Sequence, residues 1–173
     1  MRYSWRYETF HLLTEEMKTY QMLWDGEWRE ALSGATRDVV NPATEESFAQ
    51  VAWGGREDAR MAIAAAQRAQ REWARVSLWD RCEMVESIAP LIQARKEELA
   101  EILCSELGKP LHGEARDEAS ETHTNFLIAP QQAKYLEGKT YPVQTPNMRV
   151  MSFRRPLGVI AAITPWNFPA AIP

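Results

Sequence analysis

Apolar and polar positions follow different rhythms along the chain, and each rhythm predicts a kind of element. In MKTYQMLWDGEWRE, starting at Met17, Asp25-Gly26 lies between two apolar stretches and signals a β-hairpin turn. Over residues 36–55, TRDVVNPATEESFAQVAWGG, Val39-Val40 leads into the turn dipeptide Asn41-Pro42. Phe48, Val51 and Trp53 then supply a second strand, which Gly54-Gly55 breaks. The rhythm next lengthens to steps of four, three and four: Ala62, Ala66, Ala69 and Trp73 predict a helix with one closely packing, alanine-rich face. Ser77 and Asp80 resemble a capping box for a second helix carrying Val85, Ile88, Ala89, Ile92, Leu99 and Leu103, with Gly108 and Pro110 as its stop.

A third helix is predicted from near Gly113, its face formed by Ala115, Ala119, Thr122, Phe126, Ala129, Ala133 and Leu136, with Gly138 as the stop. Pro90 and Pro130 fall inside the second and third helices, where a proline costs ~3 kcal/mol or forces a kink, so both helices are expected to bend or break there. After Gly138 the pattern becomes extended. It ends in Val159-Ile160-Ala161-Ala162-Ile163, five apolar residues between Gly158 and Thr164-Pro165, which describe a short, fully buried strand of a parallel sheet.

Composition narrows the possible partners. Of 173 residues, 45% are hydrophobic and 25% charged, as in a soluble globular chain, and the net charge of −4 disfavours nucleic acid or an anionic membrane surface. No apolar run approaches the ~20 residues that span a bilayer, and the opening MRYSWRYETFHLL lacks the apolar core of a secretory signal, so the cytoplasm is the expected compartment. Residues 1–16 do not fit the pattern that follows. They are expected to be an extra, disordered arm, either a natural one or upstream sequence read from a start before Met17, and their deletion is expected to leave folding unchanged.

Cys82 and Cys104 are too far apart for a CxxC site and fall inside predicted helices, where structural thiols are expected. His11, His112 and His123 have no ligand spacing, so no metal is expected. The one site-like segment is residues 164–169, TPWNFP, because ligands of open α/β sheets bind at the carboxyl ends of strands. Pro165 and Pro169 restrict its backbone, Asn167 can donate to a developing negative oxygen, and Trp166 offers a flat surface for a ring or ribose. On residue types alone, a structural turn whose aromatics plug a core is the better reading.

A resemblance reverses that preference. RRPLGVIAAITPWNFP, residues 154–169, is similar to a segment of the aldehyde dehydrogenase superfamily in which a PWNFP loop follows a core strand. Earlier landmarks fall in the family's order: Asn41-Pro42-Ala43-Thr44, the alanine-rich helix ending in Trp73, Glu106-Leu107-Gly108-Lys109-Pro110, and Glu137-Gly138. The resemblance runs from about Met17 to the last residue. Glu45, where the family often has Gly, and the prolines at 90 and 130 depart from it.

The resemblance implies an α/β fold: the amino-terminal part of the aldehyde dehydrogenase fold, with helices plus the first strands of an incomplete doubly wound sheet. Residues 17–138 would belong to the cofactor-binding domain, 139–157 to the strands of an oligomerisation hairpin, and 158–173 to the first core strand and the PWNFP loop. The implied reaction oxidises an aldehyde, with a small semialdehyde suggested by TPWNFPAAIP, through a cysteine thioester to a carboxylate, with NAD or NADP as cofactor and a homo-oligomeric parent. Asn167 matches the oxyanion-stabilising asparagine, and Ile163, Thr164, Pro165 and Trp166 match positions lining the cofactor. The family's nucleophile comes far after PWNFP, so neither Cys82 nor Cys104 inherits that role, and this chain alone is expected to be inactive. The alternative is a truncated, non-enzymatic copy that docks on intact subunits.

Overall fold

A computed structural model describes residues 17–173; the expectations for residues 1–16 lie outside this range. The described chain opens with five short strands, β1 (Lys18–Tyr20), β2 (Met22–Trp24), β3 (Glu27–Arg29), β4 (Thr36–Val40) and β5 (Ser47–Ala52). Helices follow: α1 (Arg56–Trp73), α2 (Leu78–Glu86), α3 (Ala89–Ala94), α4 (Lys96–Leu107) and α5 (Arg116–Ala133). The strands β6 (Thr140–Tyr141) and β7 (Val150–Met151) come last.

The turn at Asp25-Gly26 joins β2 to β3 with Trp24 opposite Glu27. Both turn residues have positive φ, 58° and 75°, as a two-residue type I′ hairpin requires. The Asp25 carboxylate accepts from Arg68 Nη2 at 2.9 Å, which ties this hairpin to α1. The expected pair of strands around Asn41-Pro42 is β4 and β5, antiparallel with a bulge between Val39 and Val40. On the other edge of β5, β1 pairs in parallel, with Lys18 opposite Ala49, so the small sheet has the order β1-β5-β4. Asn41 Oδ1 accepts the Ala43 N–H at 2.9 Å to brace the turn, and Glu45 sits at φ 61°, the conformation that favours glycine.

Asp58, almost fully buried, joins this sheet region to α1. Its carboxylate accepts the N–H of Gly55, the residue capping α1, at 2.7 Å, and that of Leu32 at 3.0 Å. These N–H groups, Gly55's first, hold the Asp58 carboxyl below its ordinary range, against the opposing effect of burial. On α1 the predicted face is only partly covered. Ala65 is the buried alanine, Ala62 and Ala66 are half-buried, and Ala69 and Trp73 stay exposed.

The predicted second helix is three helices. Ser77 Oγ caps α2 by accepting the Asp80 N–H at 3.1 Å. Pro90 falls in the first turn of α3, where its missing N–H has no helical partner to lose, and the backbone at Arg95 (φ −113°, ψ 20°) separates α3 from α4. Gly108, at φ 70°, ends α4 in the left-handed conformation and rests against the Pro42 ring; an added Cβ would lie 3.0 Å from Pro42 Cγ.

The third helix differs from expectation at both ends. His112 and Gly113 have non-helical backbones, so regular α-helix starts at Arg116, and it stops at Ala133 rather than Gly138. Pro130 lies within the last turn. The helix runs one turn past it because a proline removes only the bond from its own nitrogen, and its carbonyl still accepts the Lys134 N–H at 3.3 Å. The core lies where α4 meets α5. Ala100, Leu103, Ala115 and Ala119 form its centre, with Leu99, Cys104, Leu107, Leu111 and Ala170 packed around them.

β6 and β7 form an antiparallel hairpin only two residues long on each side, Thr140 opposite Met151. Its backbone is extended by the Ser152 N–H donating to the Lys139 carbonyl at 2.8 Å. The buried strand expected at Val159–Ile163 is not formed. These residues have no ladder partner among the described residues and are exposed, Ile160 by 73% and Ile163 by 97%. An extended segment becomes a strand only when a neighbour takes its N–H and C=O groups, and no described strand lies beside this one. No described helix is long and apolar enough to cross a membrane.

Candidate functional site

Residues 164–169 form a tight loop on the α4–α5 core. Thr164 is half-buried, whereas Pro165, Trp166 and Asn167 are exposed, Trp166 by 82%. The chain then turns inward: Phe168 is 38% exposed, and Pro169, Ala170 and Ala171 are half-buried. The Ile172 N–H donates to the Phe168 carbonyl at 3.1 Å and closes the turn. The Asn167 side chain makes no hydrogen bond among the described residues, so its amide is available to a ligand.

What holds the loop comes from α5 and from the segment before it. Glu118, the largest fully buried side chain, sends Oε1 to the Ala170 N–H at 2.9 Å and to the Ala171 N–H at 3.4 Å. Its Oε2 meets Lys109 Nζ at 2.5 Å, and that ammonium lies 3.9 Å from the centre of the Phe168 ring. Asn125 Nδ2, two turns further along α5, donates to the Ala171 carbonyl at 3.0 Å. A carboxylate buried to this degree is stable only when paired and hydrogen-bonded, and Glu118 is both.

The five residues singled out from the sequence therefore have different settings. Trp166 and Asn167 share the exposed tip of the anchored loop, with Pro165 beside them and Thr164 at its half-buried root. Ile163 precedes it in exposed, unpaired chain. Glu118, Lys109, Asn125 and Phe168 were missed. A signal for Glu118 was present, because it falls three residues after Ala115 and four before Thr122, on the helix face that the apolar spacing marks as buried. Nothing in the sequence told which backbone groups it would meet.

Neither thiol is part of the loop. Cys82 is buried with its Sγ donating to the Pro130 carbonyl at 3.4 Å, and Cys104 is half-buried on α4. Among the described residues, no group of three or more His, Cys, Asp or Glu side chains is gathered to hold a metal ion.

Residues 28–173 match the aldehyde dehydrogenase family. The chain belongs to that family. It is 37% identical over 156 residues to the 3,6-anhydro-alpha-L-galactose dehydrogenase of Vibrio sp. (strain EJY3), covering 90% of this chain and 32% of that one. It is 36% identical over 152 residues to the NADP(+) succinate-semialdehyde dehydrogenase of Escherichia coli (strain K12), covering 88% of this chain and 31% of the relative. Among solved structures, an E. coli NADP-dependent enzyme superposes with a TM-score of 0.83 at 35% identity, over 88% of this chain and 32% of that one. A betaine aldehyde dehydrogenase double mutant from Staphylococcus aureus, in complex with NAD+, gives 0.81 at 32% identity, over 88% and 30%.

The chain thus spans about a third of the length of the curated relatives it matches. Its fold is the aldehyde dehydrogenase α/β fold in part: helices with a few strands and incomplete sheets. The family landmarks also meet in space. Gly108 of Glu106–Pro110 packs on Pro42 of Asn41–Thr44, and Lys109 reaches Phe168 of the PWNFP loop.

Proposed function

We propose that residues 163–169 supply the oxyanion donor and part of the cofactor-facing surface of an NAD(P)-dependent aldehyde dehydrogenase. The observation that carries this reading is the setting of Asn167: an exposed amide without an internal hydrogen-bond partner, at the tip of a loop whose base is pinned by a buried carboxylate. Such an amide can donate to the oxygen of an aldehyde as negative charge develops there, and the anchored backbone behind it limits the reorganisation this needs. Ile163 and Trp166 expose apolar surface and Thr164 carries a hydroxyl, and these residues would hold the ring and ribose of a nicotinamide cofactor. When bound, that cofactor supplies hydride acceptance. Both cofactors occur among the relatives, NADP(+) in the Escherichia coli succinate-semialdehyde dehydrogenase and NAD+ in the betaine aldehyde dehydrogenase structure, and the reading takes in either.

The substrate class we infer is a small semialdehyde, on the strength of relatives named as succinate-, glutarate- and malonate-semialdehyde dehydrogenases. Residues 139–157, whose Met151 and Phe153 are exposed, suit a hairpin through which copies of the parent enzyme associate. Neither Cys82, buried against Pro130, nor Cys104, on α4, is presented beside Asn167 as a nucleophile. The 173-residue chain by itself therefore gives no sustained NAD(P)H production from short aldehydes.

The test is Asn167→Ala in the full-length protein. Loss of one oxyanion donor lowers kcat by about two to three orders of magnitude with little change in cofactor affinity. Unchanged turnover in a folded variant would refute the donor role.

A further inference from the structure

We propose that Glu118, charge-compensated by Lys109, is the positioning residue that sets where the 166–169 loop presents the Asn167 amide. The inference rests on the reading of Asn167 as an oxyanion donor and adds the group that aims it. The residues on either side of Pro169 are both held. On one side Lys109 Nζ lies 3.9 Å from the centre of the Phe168 ring; on the other Glu118 Oε1 accepts the Ala170 N–H at 2.9 Å. The two grips are one unit, because Lys109 Nζ and Glu118 Oε2 are 2.5 Å apart.

The backbone between the grips and Asn167 has little freedom left. Pro169 has its φ locked by its ring, and Phe168, as the residue before a proline, is restricted too. The Phe168 carbonyl is further engaged by the Ile172 N–H. Asn125 fixes the exit of the turn at the Ala171 carbonyl from the same helix. A carboxylate buried in the α4–α5 core without this task would be a poor choice of residue. Apolar side chains of similar volume generally stabilise such sites as well as a buried ion pair does, so the charged pair is best explained by the backbone N–H groups it holds.

The test is amide hydrogen exchange, resolved by NMR, on the 173-residue chain and two variants. Lys109→Met/Glu118→Leu keeps the site filled but removes the grip on Ala170 and Ala171. Glu118→Gln keeps an acceptor oxygen but removes its charge. Exchange at Ala170 and Ala171 is expected to rise about 10- to 100-fold in the double variant and by a smaller factor in Glu118→Gln. Amides of α4 and α5 should remain protected in both, which a general loss of stability would not allow. Unchanged exchange at Ala170 and Ala171, or an Asn167 side-chain NH2 resonance that keeps its shift and line width, in folded variants overturns the proposal. If the double variant does not fold, Lys109→Met/Glu118→Gln decides by the same smaller rise, since it buries no charge and its amide oxygen can face the Ala170 N–H without an ammonium opposite its NH2. Exchange does not depend on turnover, so failure of the clamp and failure of the oxyanion role are separate results.

Discussion

Removing the Lys109 ammonium alone should be among the most damaging single changes to the described core. Its partner Glu118 has no exposed side-chain surface, whereas Lys109 keeps 12% of its own. Lys109→Met therefore leaves a carboxylate with no counter-ion in a site that water does not reach. Breaking a buried pair from one side typically costs about 3–5 kcal/mol. Two features bear on this value. The N–H groups of Ala170 and Ala171 still donate to Glu118 and soften the loss, while the cation over the Phe168 ring disappears and adds to it, by about 0.5–2 kcal/mol. About 3 kcal/mol is the expected net cost, which at ordinary urea sensitivities lowers the unfolding midpoint by roughly 1–2 M. Replacing both charges in Lys109→Met/Glu118→Leu should recover most of the loss, because no charge remains to be buried. The assay is urea unfolding of the four proteins of the double-mutant cycle, followed by helical circular dichroism. A coupling energy of about 2 kcal/mol or more is expected. Additive effects, with coupling under about 0.5 kcal/mol, would show that the two charges do not depend on each other and would refute the reasoning.

Three other outcomes follow from the same structure. Glu45→Gly should stabilise the chain by about 0.5–1 kcal/mol, since the relief of a left-handed side chain exceeds the added freedom of the unfolded glycine; a lower melting temperature would contradict this. Gly138→Ala should loosen the β6–β7 hairpin, because a Cβ there runs into the Ser152 carbonyl; amide exchange at Ser152 should quicken while helical dichroism is unchanged, and equal exchange would count against the close approach. Asp58 has a carboxyl held below its ordinary value of 3.8, so its contribution to stability is present above about pH 4 and is lost as pH falls further, through its folded value. The melting-temperature gap between the chain and Asp58→Asn should accordingly narrow from about pH 4 downward, and a gap constant from neutral to acid pH would sink this assignment.

The sequence by itself determined the elements whose causes are local. Asp25-Gly26 makes its hairpin because both residues accept positive φ, Ser77 caps α2 through a nitrogen three residues away, and the second predicted helix breaks near Pro90 as expected, although Pro90 itself lies in the first turn of α3 and not inside a longer helix. The family landmarks were legible for a related reason, since they are short runs of residue types in a set order, and they led to Asn167 and Trp166 in the loop. Where the pattern misled, it lacked information about neighbours. Val159–Ile163 has the composition of a buried strand, yet a strand requires a ladder, and composition does not say whether a partner lies alongside. The helix continued past Pro130 because only one bond was lost near its end, a matter of position that a general penalty does not capture. Only the tertiary structure decided how the loop is held. Lys109, Glu118 and Asn125 meet Phe168, Ala170 and Ala171 across separations in the chain of up to 59 residues for Lys109 and Phe168, and 52 for Glu118 and Ala170. Hydrogen bonds and ion pairs act over a few ångströms of space rather than along the chain, so their partners become known only once α4 and α5 have packed.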